Sequence, residues 1–264
     1  MKKTISLFLS ILLSLIFAVT SYANINLGVY EGFEPTDPIN DLRNAEKERQ
    51  LLTKENSTRA LYYSVPIARF EQITGYYCGP ASSYMVIDAW NESVPSTSAG
   101  LYFYIEGENE NNCPYPNVNH SCYDTYNSPQ ITLANLMDTN CNGTNISNMK
   151  NVINSYINNN YYTVCNIPNT PAGSSSLSSK ILSTLQDGHP LIAMVHAKLL
   201  NRYSGSAGQT FEGHFVCIYS LNSNSLSVGI SDCNYYGNLG GFYTEDLDTL
   251  RTAMGFYTSY NLMW

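Results

Sequence analysis

The sequence predicts an α+β fold in which helices precede a mostly antiparallel sheet. A helix is predicted directly after Cys78, where residues 80–90 place apolar side chains at helical spacing. Two further helices are predicted at 145–158 and 176–185, each with one apolar side. From residue 190 onward, short apolar runs separated by turn residues predict strands. This order of elements is typical of an α+β domain.

The first residues have the features of a signal peptide. Lys2 and Lys3 precede an apolar stretch at 5–19, and the small residues at 21–23 offer a cleavage site. We therefore assign 1–23 to a bacterial signal peptide, because the stretch is short for an uncleaved membrane anchor. The mature protein is expected to be secreted, either extracellular or periplasmic, without stable membrane insertion.

The charge of the mature chain argues against nucleic acid as a partner. Removal of the signal takes away two lysines and no acidic residue, which changes the formal net charge from −8 to −10. An acidic surface repels phosphate backbones. Hydrophobic residues make up 44% of the chain, which is enough for a substantial core.

An N-terminal extension or pro-segment is assigned to 24–60. Asp37 followed by Pro38 predicts a helix start, because a capping side chain precedes a proline at the first helical position. The helix is predicted over 39–55. Its apolar face is thin and comprises Ile39, Leu42, Ala45, Leu51 and Leu52. We interpret it as a solvated helix, with loose packing on the body or a role as a pro-segment as alternatives.

The main domain is assigned to 61–264, with a Cys-rich insertion at about 93–145 that has weak periodicity and is expected to be irregular. The C-terminal part is predicted to contain strands at 190–197, 213–221, 226–232 and 256–263, and a helix at 246–254.

Seven cysteines in an exported chain predict disulfides and at least one free thiol. The cysteines are Cys78, Cys113, Cys122, Cys141, Cys165, Cys217 and Cys233. Sequence does not fix the pairing, but 113 with 122 and 141 with 165 are reasonable pairs. Cys217 is either a packed thiol or a partner of Cys233, and that last pair would leave Cys78 free. The cysteines lack paired C-x-x-C spacing, so neither a metal site nor a cofactor is predicted.

Cys78 stands in the motif CGPA at 78–81, which suits a reactive thiol. Gly79 allows a tight turn and Pro80 suits the first turn of a helix. At a helix N-terminus the unpaired N–H groups and the dipole favour the thiolate and can donate to an oxyanion. Gln72, six residues upstream, offers a side-chain amide as a second oxyanion donor.

His214 is the best candidate for the base of this thiol. It begins the apolar strand at 213–221, whereas Asp232 ends the following strand. If the two strands form a hairpin, both residues lie near its open end, and Asp232 can orient the imidazole. The alternatives are a structural histidine and a turn-forming aspartate.

These motifs resemble the bacteriocin-processing (double-glycine leader) peptidase family and its stand-alone relatives, within the papain-like superfamily. The resemblance covers roughly 61–260 and leaves the Cys-rich insertion outside. It implies a papain-like fold, with the nucleophile helix first and an antiparallel sheet after it. It also implies Cys78 as nucleophile, His214 as general base and acid, Asp232 as orienting residue and Gln72 as oxyanion donor. One position differs, because Cys233 stands where the relatives usually have proline after the aspartate.

The sequence as a whole predicts a secreted cysteine peptidase that acts as a monomer on peptide or protein substrates. Amidase or transglutaminase-like acyl transfer is an alternative, because one scaffold with one triad serves several acyl donors. A catalytically silent extracellular binding module on the same fold is the other alternative. The family members that cut leaders are fused to a transporter, whereas this chain is predicted to be free-standing and exported.

Overall fold

The fold is described from a computed structural model of the chain. It describes residues 37–54, 62–102, 123–204, 213–235 and 238–264. The predicted signal peptide lies outside these ranges. Within them, no helix is both long enough and apolar enough to cross a membrane.

The described ranges contain six α-helices and nine β-strands. The helices are α1 (Pro38–Lys54), α2 (Cys78–Ala89), α3 (Pro129–Leu136), α4 (Ile146–Tyr156), α5 (Pro171–Gln186) and α6 (Leu247–Met254). The strands are β1 (Tyr62–Ser64), β2 (Thr97–Tyr102), β3 (Tyr123–Ser128), β4 (Val164–Cys165), β5 (Leu191–His196), β6 (Gly213–Asn222), β7 (Ser227–Asp232), β8 (Gly241–Asp246) and β9 (Leu262–Met263). Two short 3₁₀ helices, Ala197–Leu199 and Asn201–Tyr203, follow β5.

Seven strands form one antiparallel sheet, which confirms the predicted α+β class. Six of them lie in the order β4-β9-β5-β6-β7-β8, and β1 pairs with the C-terminal part of β6. Strands β6 and β7 form the predicted hairpin, with Ile218 opposite Ile230. Strands β2 and β3 form a separate antiparallel pair.

Helices cover both faces of the large sheet. On one face, α2 and α4 share a core with Phe215 and Met194. On the other face, α5 and α6 share a core with Val216 and Val195. Neighbouring residues of β5 and β6 therefore enter opposite cores. This explains why both strands read as continuous apolar runs rather than as alternating ones.

Helix α1 begins as predicted, but the N-terminal half of its predicted apolar face does not dock, although Leu51 packs against the core. Ile39 and Leu42 are 62% and 73% exposed. Asn40 is fully buried instead, and its side-chain amide pairs with both the N–H and the carbonyl of Val164, at 2.9 and 3.0 Å. This amide covers the open edge of β4 in the way a neighbouring strand would.

Two buried lysines form ion pairs with carboxylates at the start of α1 and within it. Lys150 Nζ lies 2.6 Å from Asp37, and Lys180 Nζ lies 2.7 Å from Glu48. The lysine side chains are only 2% and 3% exposed. Trp264 Nε1 adds a hydrogen bond to the helix at 2.9 Å. The interpretation of a solvated helix is therefore wrong, because α1 is docked through polar side chains that periodicity does not reveal.

The stretch expected to be irregular contains regular structure. Strands β2 and β3 pair along six residues each, and α3 follows β3 directly. Ser128 caps α3 by accepting from the N–H of Gln130 at 3.2 Å, and Pro129 occupies the first turn. Ser128 followed by Pro129 is thus a local helix-start signal within the stretch that was expected to be irregular. The last strand, predicted at 256–263, is limited to Leu262–Met263.

Of the two alternatives for Cys217, the structure shows the packed thiol and not the disulfide with Cys233. Both residues are buried free thiols. Cys217 lies opposite Ser231 in the β6–β7 register, so Cys233 lies two positions further along. Side chains offset in this way are about 7 Å apart, which is beyond the reach of a disulfide. Cys217 donates instead to the carbonyl of Ser82 at 3.4 Å.

The possible pairing of Cys141 with Cys165 does not form either. Cys165 is a free thiol in the core, and burial raises its pKa to about 12. Cys141 takes part in a disulfide, whereas the other cysteines in the described ranges do not. The suggested pair of Cys113 with Cys122 lies outside the described residues.

Candidate active site

Cys78 is the first residue of α2, as the sequence predicts. The preceding residue, Tyr77, makes no side-chain capping hydrogen bond to the helix. The positive end of the helix dipole therefore lies at the thiol without a competing cap. Cys78 is a free thiol with no exposed surface. A substrate carbonyl reaches its sulfur only when the neighbouring groups give way.

Gly79 has a different role from the predicted turn. It lies inside α2, and a Cβ at this position would come within 2.5 Å of Thr144 Oγ1 and 2.6 Å of Thr144 Cβ. Real Cβ atoms do not make such contacts. Glycine is needed here because the first turn of α2 packs directly on the segment that precedes α4.

His214 and Asp232 meet at one end of the β6–β7 hairpin. His214 begins β6 opposite Val195 of β5, and Asp232 ends β7. Nε2 of His214 lies 2.7 Å from Oδ1 of Asp232, and the side chains are 4% and 0% exposed. The hairpin geometry that we inferred from sequence thus brings the two residues together.

Cys78 interacts with the imidazole of His214 closely enough to raise its pKa. Because Nε2 faces Asp232, the other ring nitrogen is left for the thiol. Burial by itself lowers the pKa of His214, but the charge of Asp232, the hydrogen bond to it and the contact with Cys78 together raise this pKa to about 10. The site therefore favours an imidazolium between two acidic groups.

Asp232 has hydrogen-bond donors on both carboxylate oxygens. Oδ1 accepts from His214 and from the backbone N–H of Asn234, at 2.7 and 2.8 Å. Oδ2 accepts from the phenols of Tyr203 and Tyr243, at 2.9 and 3.0 Å. Burial alone raises the pKa of Asp232, but the imidazolium and these donors outweigh it and lower the pKa below 3.8. The hydrogen bond from the Asn234 N–H shows that Asp232 also has the turn-forming role that the sequence analysis gave as an alternative.

Residues of the loop that precedes Cys78 donate hydrogen bonds to the backbone carbonyls of the turn at 232–234. Arg69 donates from Nε to the carbonyl of Asp232 at 2.7 Å and from Nη2 to the carbonyl of Asn234 at 2.8 Å. The N–H of Gln72 donates to the carbonyl of Cys233 at 2.9 Å. Three hydrogen bonds therefore join the loop that precedes Cys78 to the turn that contains Asp232.

Gln72 is buried near the thiol, but its amide hydrogens point into its own loop. Nε2 donates to the carbonyls of Thr74 and Gly75, at 3.0 and 3.1 Å. Oε1 accepts from the thiol of Cys233 at 3.5 Å. An oxyanion donor role for Gln72 therefore requires its amide to exchange one of these bonds for the substrate oxygen.

Cys233, which stands where relatives have proline, packs beneath the nucleophile. Its sulfur lies 3.7 Å from the carbonyl oxygen of Cys78. Burial, followed by the charges of Asp232 and Cys78, raises the pKa of Cys233 well above its usual range. His214, Asp232 and Cys233 present possible metal-ligand atoms within 4.8 Å of one another. The facing histidine and carboxylate atoms already bond to each other, so the geometry fits a hydrogen-bonded triad better than a metal site.

Sequence reasoning missed Tyr203 and Tyr243. Tyr203 lies in the second 3₁₀ helix after β5, and Tyr243 lies on β8. Burial alternates along β8, but its sequence, GFYTED, does not reveal this, because Phe242 is 54% exposed whereas Glu245 is buried. Sequence likewise offers no signal that either phenol reaches Asp232, because these contacts depend on tertiary packing.

A free thiol at a helix N-terminus, next to a buried histidine–aspartate pair at a sheet end, is the arrangement expected of a papain-like cysteine peptidase. The chain belongs to the Peptidase_C39 like family, whose model matches residues 64–263. This match confirms the relationship to the papain-like superfamily that the motifs indicate. No curated protein matches the chain.

Proposed function

We propose that this protein is a secreted cysteine peptidase that cleaves peptide or amide bonds with Cys78 as its nucleophile. The observation that carries the proposal is the 2.7 Å hydrogen bond between His214 and Asp232, with His214 also interacting with Cys78 at the N-terminus of α2. Membership of the Peptidase_C39 like family supports a cysteine peptidase type of function.

In the first half of the reaction, the Cys78 thiolate adds its electron pair to the substrate carbonyl carbon. The carbonyl becomes an oxyanion, which the N–H groups at the start of α2 and the Gln72 amide stabilise. The carbon–nitrogen bond then breaks, and the amine leaves with the proton of the His214 imidazolium. A thioester on Cys78 remains.

In the second half, His214 takes a proton from water as the water oxygen attacks the thioester. The carbon–sulfur bond breaks, and the acyl group leaves as a carboxylic acid. The thiolate and the imidazolium are restored. Asp232 holds the imidazole in the required orientation throughout and stays ionised.

The site of action proposed is outside the cytosol, in the periplasm or beyond the cell. Residues 1–23 supply the signal peptide on which this part of the proposal depends. Recovery of the exported protein with Asn24 as its first residue would support it. Export with residues 1–23 retained would contradict it.

Peptide cleavage tests the catalytic part. The chain from Asn24 is incubated with a complex peptide mixture, and products are identified by mass spectrometry. We expect new termini with the native chain and with Cys217→Ala, a matched buried-thiol control, but none with Cys78→Ala. Cleavage that persists in Cys78→Ala would contradict the proposal.

The same experiment separates the alternatives. Peptides joined to added amines, instead of hydrolysed, would indicate transglutaminase-like transfer through the same thioester. Absence of turnover together with retention of particular peptides by both the native chain and Cys78→Ala would indicate a binding module.

A further inference from the structure

Two phenols from different elements meet on one oxygen of Asp232. Tyr203 comes from the 3₁₀ helix after β5, and Tyr243 comes from β8. Both donate to Oδ2, whereas His214 bonds to Oδ1. We propose that Tyr203 and Tyr243 are positioning residues that keep Asp232 ionised and aim its other oxygen at His214. The proposal rests on the proposed function and extends the site beyond the three residues of its triad.

The phenol of Tyr203 is fixed in direction. The side chain is 2% exposed, and its oxygen accepts from Asn234 Nδ2 at 3.0 Å while it donates to Asp232. The 3₁₀ helix that carries it is anchored by the buried carboxylate of Glu245. That carboxylate accepts from the backbone N–H and the side-chain amide of Asn201, at 2.8 and 2.6 Å. Tyr203 is therefore tied to β8, the strand that supplies the other phenol.

Tyr243 is held by the same pair of elements. Arg202 places its guanidinium 5.8 Å from the centre of the Tyr243 ring. The guanidinium also donates to the carbonyl of Leu239 at 3.0 Å and to those of Asn238 and Gly240 in the turn before β8. Each phenol is thus oriented by the element that carries the other one. Such mutual support is typical of a preorganised site and not of a surface contact.

The charged and titratable groups around Asp232 explain why phenols suit this position. His214 faces it from β6, Tyr203 and Tyr243 from the 3₁₀ helix and β8, and the thiols of Cys233 and Cys217 lie nearby. Arg69 lies close too, but its guanidinium bonds to backbone carbonyls and to Glu71. His214 is the cation bonded to the carboxylate, and the phenols supply neutral donors that do not compete with it.

The phenols remain donors over the working range of the enzyme. Burial, followed by the charge of Asp232, raises the pKa of both phenols well above 10. Loss of either donor raises the pKa of Asp232 and leaves its carboxylate free to turn, so that Oδ1 is no longer held toward His214. Since the hydrogen bond to Asp232 helps to raise the pKa of His214, the imidazolium beside Cys78 is then less populated.

The test uses Tyr203→Phe, Tyr243→Phe and the double variant, with Tyr162→Phe as control. Tyr162 is fully buried and donates to the carbonyl of Pro190 at 2.8 Å, away from the thiol, so its loss reports the cost of removing any buried phenol. We call the variants that lack the Tyr203 or Tyr243 phenol the clamp variants. We expect kcat/KM to fall about tenfold for each clamp variant, mainly through kcat, and to stay within about twofold for Tyr162→Phe.

Two readouts separate positioning from a structural role. In an Asp232→Asn background, loss of the phenols should change kcat/KM by less than about twofold, because their target is gone. The rate of Cys78 alkylation by iodoacetamide should fall about tenfold at pH 6 in the clamp variants and match the native rate near pH 9.5, where thiols ionise unaided.

Loss of activity that is equal in the Asp232→Asn background, or an alkylation rate reduced equally at both pH values, would overturn the proposal. If the double variant does not fold, the single variants decide by the same criteria. The alkylation measurement needs no substrate. Failure of the native chain to cleave peptides would therefore count against the proposed function. An alkylation profile that the clamp variants leave unchanged would count against the positioning role of Tyr203 and Tyr243.

Discussion

Nε2 of His214 lies 2.7 Å from Oδ1 of Asp232, and both side chains are almost completely shielded from water. A charge pair at this depth is stable only when its remaining hydrogen-bonding capacity is satisfied. Asn234, Tyr203 and Tyr243 satisfy the carboxylate, and Cys78 interacts with the imidazole. Cys78, His214, Asp232 and the donors to Asp232 are therefore one network.

Replacement of Asp232 by asparagine should weaken catalysis without removing the nucleophile. We expect Asp232→Asn to lower kcat/KM about 10³-fold, because the imidazole loses its anionic partner and its preferred tautomer. Cys78→Ala should abolish turnover. Steady-state kinetics on one cleaved peptide would check this. Asp88→Asn, on the far end of α2, is the control and should retain native kinetics. An Asp232→Asn variant as active as the control would exclude the orienting role.

Stability should depend on pH through the same pair. The folded pKa of His214 is raised from 6.5 to about 10, so its contribution is fully present below pH 6.5 and is lost as pH rises through 10. The folded pKa of Asp232 is lowered from 3.8, so its contribution is present above pH 3.8 and is lost as pH falls through the lower folded value. Urea unfolding from pH 3 to 11 would measure both limits. His214→Gln should flatten the alkaline decline, and an equally steep decline in that variant would refute this assignment.

Helix α1 should stabilise the folded domain through its carboxylates. Asp37→Asn retains the cap of α1 but leaves Lys150 buried without its anion. We expect a loss of about 1 to 2 kcal/mol, less than for a fully buried pair because Asp37 itself is partly exposed. Glu46→Gln is the control, since its partner Arg49 is 73% exposed. Thermal unfolding that is equally affected by both substitutions would contradict this prediction.

Gly79→Ala should disturb the nucleophile helix. The new Cβ would lie 2.5 Å from Thr144 Oγ1, and we expect overpacking to cost about 2 kcal/mol in unfolding free energy. Gly75→Ala, where the nearest group is 3.8 Å away, is the matched glycine control. Thr144→Gly in the Gly79→Ala chain should restore part of the loss. No difference between the two alanine variants would show that the close contact is not limiting.

Thiol counting tests the cysteine assignment. Alkylation of unfolded, unreduced protein should label Cys78, Cys165, Cys217 and Cys233 and leave Cys141 unlabelled. Peptide mapping with and without prior reduction would establish each position. Recovery of Cys217 linked to Cys233 would contradict the assignment of both residues as unpaired thiols.

The sequence predicted those parts of the molecule that local patterns determine. The helix start at Cys78 follows from Pro80 in the first turn, and the β6–β7 hairpin follows from apolar runs; the hairpin alone brings His214 near Asp232. The start of α1 at Asp37 followed for the same reason.

The failures on α1, on the cysteines and on Tyr203 share one physical cause, which is dependence on contacts remote in sequence. Asn40 and Val164 are 124 positions apart, so a helix with an exposed apolar face gave no hint of its polar docking. Cysteine pairing depended on the register of β6 and β7, which the spacing of Cys217 and Cys233 does not reveal. The phenol of Tyr203 reaches Asp232 only after β5, β6 and β7 are aligned.

Detection of an acyl-enzyme tests the central claim most directly. Native protein and Cys78→Ala are each incubated with a cleavable peptide, quenched in acid, digested and mapped by mass spectrometry. We predict a peptide-derived acyl group in thioester linkage on Cys78 in the native protein and no adduct in the variant. An acyl adduct on another residue, or cleavage of the peptide by the Cys78→Ala variant, would contradict the assignment of Cys78 as the nucleophile.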